Sequence, residues 1–193
     1  MENLLLILLA YLLGSFPSAL VIGKIFYNKD IRNFGSGNLG STNAFRVLGK
    51  RGGIIVFILD ISKGSLAVLA PVLLEPSLHP LIIALFALVG HVYPIFANFK
   101  GGKAVATTAG ILLVYTPTIF ITLFIIFLTS LKIWKMVSLS STIISIAGII
   151  LVFLGSYDAI TRGMFIIFAL VIMIKHIPNY KRILNGTENK VSI

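Results

Sequence analysis

The 193-residue chain has no cysteine, six acidic residues and three histidines. Without cysteine there are no disulfides, no thiolate metal sites and no cysteine nucleophile, while the compartment stays open. No Ser-His-Asp arrangement, metal-ligand cluster or acidic pair is readable on the face that the charge count below makes cytoplasmic. His91 and His176 both lack an Asp five residues on. No internal repeat supports an inverted-repeat transporter. Charged residues make up only 11% of the chain, too few for the hydrated surface of an ordinary soluble domain.

What is present is apolar: 58% of residues are hydrophobic and the mean hydropathy is +1.03. Long continuous apolar runs predict an all-α polytopic membrane protein, and their lack of alternation argues against a β-barrel. The length fits a single transmembrane domain over 1–193 with no separate soluble domain. Sixteen Lys and Arg give a net charge of +10, which in this context reads as positive-inside bias and anionic lipid, not nucleic acid. The first apolar stretch carries Glu2 in place of a basic n-region and continues to Lys24, so it reads as a retained span and not a cleaved signal.

The runs predict spans at about 3–23, 54–74, 79–98, 104–116, 117–131, 137–154 and 163–177, with a hinge at Thr116-Pro117. With a hairpin at that hinge, fifteen of the sixteen basic residues fall on one side, counting Lys63 inside the second span with its cytoplasmic end, and only Arg162 lies opposite. A single span there gives a ten-to-six split, so the positive-inside rule selects seven spans, the N-terminus outside and the C-terminus cytoplasmic. All the polar loops then share the cytoplasmic face and can converge at the inner leaflet.

Three clusters carry candidate chemistry. Gly35-Ser36-Gly37-Asn38-Leu39-Gly40-Ser41-Thr42-Asn43, followed by Arg46, combines glycines with many donors, as an anion cradle requires. Its G-x-G-x-x-G match lacks the βαβ context of a dinucleotide site. Residues 44–51 suit a short interfacial helix with basic residues toward headgroups. Gly101-Gly102-Lys103 precedes an apolar helix whose N-terminus favours anions, though its spacing is not that of a Walker A loop. His176 and Asn179 stand one helical turn apart in a basic tail, with Pro178 admissible only in a first turn.

Within the spans, Asp60 and Lys63 share a helix face roughly 10 Å from its cytoplasmic end, as a functional pair or a structural ion pair. His91 reads as a residue that orients packing. Ser138 and Ser141 line a pocket or satisfy backbone. A site rich in phosphate donors and without an evident general base suggests that the substrate itself takes the proton.

Taken jointly, G-S-G-N-x-G-x-T-N at 35–43, G-H-x-x-P with F-x-G-G-K-x-V-A-T at 90–107, and H-x-x-N-x-x-R-x-x-x-G-x-E at 176–188 resemble the bacterial acyl-phosphate:glycerol-3-phosphate acyltransferase family. The likeness spans essentially the whole chain, and Asp60-Ile-Ser-Lys63-Gly64 fits it too. It implies a seven-span inner-membrane enzyme of phospholipid biosynthesis with its site on the cytoplasmic side. The enzyme would move a fatty acyl group from acyl phosphate to the 1-hydroxyl of sn-glycerol 3-phosphate, giving lysophosphatidic acid and phosphate without cofactor or metal. By that resemblance Ser36, Gly37, Asn38, Thr42 and Asn179 contact the acyl-phosphate headgroup and Lys103 neutralises its charge. Arg46, helped by Lys103 and His176, binds the glycerol phosphate, and Ser36, Lys103 and Asn179 carry catalysis. Gly40, Asn43, Lys63, Gly101, Gly102 and Ser141 complete the implied substrate contacts. Whether a peripheral acyl-phosphate synthase docks on the cytoplasmic face stays open. The competing reading is a transporter of a phosphorylated metabolite or lipid, with Asp60, Lys63 and His91 along its path.

Overall fold

A computed structural model describes residues 1–191, and those residues form helices and loops without strands. The chain divides into two compact units, Met1–Tyr115 and Thr116–Ile193. The division falls at the predicted hinge: Thr116 is non-helical and Pro117 opens the next helix, so the segment from Ala104 to Leu131 is two helices.

In the first unit, α1 (Glu2–Ser15) and α2 (Ser18–Tyr27) meet at a 42° bend. The run expected as one span at 3–23 is broken because Pro17 has no N–H to donate and pushes Phe16 into an extended conformation. A 3-10 turn (Ile31–Asn33) follows, capped by the Asp30 side chain. The next helix, α3 (Ser41–Leu74), is interrupted at Gly49 (φ 74°, ψ −174°). The predicted interfacial helix and the span from 54 are therefore two helices that meet at a kink within α3, and Thr42 and Asn43 sit in the first turn, not in a loop. Helix α4 (Pro80–Val92) ends before Pro94 and a 3-10 turn (Ile95–Ala97), short of the predicted end at 98, and α5 (Val105–Tyr115) closes the unit.

Helix–helix contact in lipid gains nothing from apolar burial alone, so close approach depends on small residues. Both main contacts of this unit are reciprocal glycine pairs. Between α1 and α4, a Cβ on Gly14 would collide with the Ala87 carbonyl and one on Gly90 with the Tyr11 carbonyl. Between α3 and α5, Gly64 faces the Thr107 carbonyl and Gly110 the Ile61 carbonyl in the same way. Beneath the 35–43 loop lies an apolar cluster including Ile31, Leu39, Ala44, Leu48 and Val56.

The second unit contains α6 (Pro117–Trp134), α7 (Val137–Leu154), α8 (Ala159–Lys175) and the short α9 (Ile177–Leu184), with a 53° bend between the last two. Helix α8 starts four residues earlier than expected because Asp158 caps it, accepting from the Thr161 N–H at 2.9 Å and the Thr161 hydroxyl at 2.6 Å. Ser130 and Ser140 bond across α6 and α7 at 3.0 Å. The Val191 N–H donates to the Lys135 carbonyl at 2.8 Å, laying the tail against the α6–α7 turn.

Four helical stretches are each long and apolar enough to cross a bilayer, and each bent pair adds one more. Helix α5, eleven residues and about 16 Å long, is apolar but shorter than the hydrocarbon thickness.

Candidate active site

The 35–43 segment is shaped by Asn43. Buried at the start of α3, its Oδ1 accepts from the Ser36 N–H at 2.9 Å, and its Nδ2 donates to the Ile31 and Phe34 carbonyls at 3.3 and 3.2 Å. Gly35 (φ 61°) sits over that amide, where a Cβ would collide with Asn43 Oδ1, and Gly37 (φ 69°) completes the turn. Asn43, read from the resemblance as a substrate contact, is thus engaged with the loop's own backbone. Asn38 Oδ1 accepts from the Gly40 N–H at 2.9 Å. Ser36, Thr42 and Arg46 are left exposed. Gly40 gives α3 no side-chain cap, so the first-turn N–H groups beside them lack the usual partner.

The one acid next to this loop is neutralised. Asp30 pairs with Arg32 through Nε (2.9 Å) and Nη2 (2.6 Å), and Lys24 lies 3.7 Å away. The Arg32 side-chain hydrogen bond holds the Asp30 carboxyl down from 3.8 to about 2.

The second loop is built by backbone bonds to the end of α4. Gly101 N–H donates to the Val92 carbonyl (3.2 Å) and Gly102 N–H to the His91 carbonyl (3.0 Å). A Cβ on Gly101 would strike the His91 carbonyl, and one on Gly102 would strike the imidazole of His91. Close approach therefore demands the glycine pair. Asn98 (φ 54°), Phe99 (φ 57°) and Ala104 (φ 60°) bracket the loop in left-handed conformations that non-glycine residues seldom adopt. Lys103 is half-buried. The two loops meet where Asn38 Nδ2 donates to the Gly101 carbonyl at 3.4 Å.

Below them, Lys63 and Asp60 form a buried pair at 2.8 Å, and Ser18 Oγ donates to the same Asp60 oxygen at 2.9 Å. Lys63 Nζ also donates at 3.2 Å to the Phe16 carbonyl, at the α1–α2 break, which accepts the Ser18 N–H at 3.0 Å as well. The Lys63 amine is thus engaged inside the bundle, with the Asp60 carboxyl and the Phe16 carbonyl as its partners.

In the second unit His176 is buried at the α8–α9 bend, and its Nδ1 lies 2.8 Å from the Ile172 carbonyl. A carbonyl only accepts, so Nδ1 carries the proton. Asn179 Nδ2 donates to Glu188 Oε1 at 2.6 Å, Ser138 Oγ donates to the same oxygen at 2.8 Å, and Arg182 Nε donates to Oε2 at 2.7 Å. Burial pushes the Glu188 carboxyl up, but these three hydrogen bonds and the Arg182 charge outweigh it and leave it below its ordinary value. Sequence reasoning did not single out Glu188 as a site residue. Its signal was scarcity: in a chain with six acids, one placed nine residues past Asn179 in a basic tail asks for a reason. Ser141 is buried and donates to the Val137 carbonyl at 2.8 Å, so its hydroxyl is turned into its own helix. Among the described residues no three His, Cys, Asp or Glu side chains gather as metal ligands would.

The family model for glycerol-3-phosphate acyltransferase matches residues 4–186. A glycerol-3-phosphate acyltransferase of Macrococcus caseolyticus is 49% identical over 99% of this chain and 98% of its own length. One from Exiguobacterium sibiricum is 51% identical over 97% and 93%. The crystal structure of PlsY, an integral membrane glycerol 3-phosphate acyltransferase, in its glycerol 3-phosphate form superposes with a TM-score of 0.95 at 35% identity, covering 100% of this chain and 96% of that one. Its lysophosphatidic acid form gives 0.92 at 34% identity, with the same coverage. With two glycine loops joined at Asn38 and Gly101, long apolar helices and a match over nearly its full length, the chain belongs to the glycerol-3-phosphate acyltransferase family of integral membrane proteins.

Proposed function

We propose that the protein transfers a fatty acyl group from acyl phosphate to the 1-hydroxyl of sn-glycerol 3-phosphate. It would do so at the cytoplasmic face of a bacterial inner membrane that it crosses seven times, N-terminus outside. The observation that carries this reading is the Asn38–Gly101 hydrogen bond, which sets two glycine-shaped loops side by side. Exposed Ser36 lies on one loop, with Thr42 and Arg46 on the helix that follows it, and Lys103 lies on the other loop, which suits a reaction with two phosphate-bearing substrates.

In this reading Ser36, Gly37, Asn38 and Thr42 hold the acyl-phosphate headgroup, and Lys103 offsets its charge. Arg46 and Lys103 bind the phosphate of glycerol 3-phosphate. His176 and Asn179 keep the roles that the resemblance gives them, at the glycerol phosphate and the acyl-phosphate headgroup respectively. The acceptor hydroxyl oxygen attacks the acyl carbonyl carbon, an ester C–O bond forms, and the C–O bond to phosphate breaks. The departing phosphate takes the hydroxyl proton and leaves as hydrogen phosphate, so no side-chain base is required. Rate enhancement comes from fixed donors around the developing charge and from holding both substrates in register. Gly40, Asn43, Gly101 and Gly102 act by shaping the loops, and Lys63 by bracing the helices under them.

The test is phosphate release from acyl phosphate in the presence of glycerol 3-phosphate by wild type, Ser36→Ala and Lys103→Ala. Each substitution should lower kcat about 100-fold or more, as loss of a transition-state donor does. Near-normal turnover in both would overturn the site assignment.

A further inference from the structure

Three buried ionisable side chains of the first unit, Asp60, Lys63 and His91, have no step to perform in that reaction. Asp60 is 1% exposed, Lys63 6% and His91 5%. Such groups inside a membrane span are costly to keep, and a buried ion pair adds little net stability over apolar packing. Their best-attested use is to fix register.

The contacts show what is being registered. Lys63 and Ser18 hold one carboxylate oxygen of Asp60 from two sides, at 2.8 and 2.9 Å. His91 Nδ1 lies 3.8 Å from that same oxygen. The opposite edge of the ring, at Nε2, fills the space where a Gly102 side chain would be. The main chain of the same turn completes the grip: the His91 and Val92 carbonyls accept the N–H groups of Gly102 and Gly101 at 3.0 and 3.2 Å. Gly101 passes the constraint on, since its carbonyl accepts from Asn38 of the other loop at 3.4 Å. The path from Asp60 to Asn38 is thus continuous and runs through the imidazole and the glycine pair.

We infer that His91, seated beside Asp60, is the positioning residue that sets the spacing of the two anion-binding loops. It acts by occupying the volume against Gly102, not by touching substrate. The inference rests on the acyltransfer reading for the identity of the ligands that the loops hold.

A substitution cycle tests it, with wild type, Gly102→Ala, His91→Ala and the double variant purified in detergent. Gly102→Ala alone drives a Cβ into the ring and should lower kcat/KM about 100-fold, the scale of a 1 Å misplacement. His91→Ala opens that volume, so the same glycine substitution should then cost roughly threefold or less. The resulting coupling is within the range for residues in contact. General loss of stability cannot produce this rescue. Equal cost of Gly102→Ala in both backgrounds would overturn the inference. His91→Asn, which also vacates the space beside Gly102, serves where alanine gives no monodisperse protein. The cycle is read a second time as the thermal shift produced by glycerol 3-phosphate, which needs no turnover. Absence of acyl transfer by wild type would then count against the reaction alone, while rescue or additivity in binding still decides the role of His91.

Discussion

Asn38 donates its side-chain amide to the carbonyl of Gly101, 63 residues further along the chain, at 3.4 Å. The other end of the same side chain accepts from the Gly40 N–H at 2.9 Å, so one residue shapes its own loop and ties it to the next.

Replacing Asn38 by alanine removes both bonds at a half-buried position. The fold should lose no more than about 1 kcal/mol, while kcat/KM falls about 100-fold from misplaced donors. Thermal unfolding in detergent and steady-state kinetics on the same preparation separate the two effects.

Asn43 should behave differently. Its side chain makes three hydrogen bonds to backbone groups of residues 31–36 from a fully buried position. Asn43→Ala should cost on the order of 2 kcal/mol of stability through buried groups left unpaired, and activity should fall with it. A variant that melts normally yet no longer binds would instead mark Asn43 as a ligand contact.

These two asparagines show how far the sequence could be read. The Gly-Ser-Gly-Asn cluster, the Gly-Gly-Lys cluster and the tail motif were visible as donor-rich segments, because polar residues stand out in a chain this apolar. Helix existence and the break at Thr116-Pro117 followed from hydropathy and proline chemistry. What spacing could not convey was direction. Asn43 and Ser141 look like loop and helix-face donors in sequence, but one points back at its own turn and the other bonds the Val137 carbonyl. Lys63 looked available until the α1–α2 break supplied a carbonyl for it, a long-range contact with no local signature. Helix ends shifted for a different reason: Pro17, Pro94 and the Asp158 cap act locally and override average hydropathy.

The buried pair gives a third prediction. Lys63→Met leaves Asp60 uncompensated and should destabilise the protein by about 3–5 kcal/mol. The double variant Asp60→Leu/Lys63→Met should regain much of the lost thermal midpoint, since apolar replacement of a buried pair is often neutral. Its kcat/KM should stay low, because His91 has lost the carboxylate 3.8 Å from its Nδ1. Recovery of both would show that the pair serves stability alone.

The tail supplies a pH prediction. The Glu188 carboxyl is held below its ordinary value in the folded protein, so it contributes stability above that ordinary value and loses it as pH falls through the lowered one. Asp30, lowered to about 2, has the same sign beside the 35–43 loop. Hydrogen exchange of residues 176–191 should therefore speed up as pH falls through the lowered value of the Glu188 carboxyl, after correction for intrinsic rates. In Glu188→Gln the tail should be less protected at neutral pH and show no such acid step. An unchanged acid step in that variant would assign it to another group.

The account turns on the acyl donor and on two phosphates being held together. The direct measurement is purified protein incubated with glycerol 3-phosphate and either acyl phosphate or acyl-CoA, followed by quantification of lysophosphatidic acid and free phosphate. Acyl phosphate should give the two products in equal amounts, and acyl-CoA should give no lysophosphatidic acid. Product from acyl-CoA, or none from acyl phosphate with correctly folded protein, would contradict it.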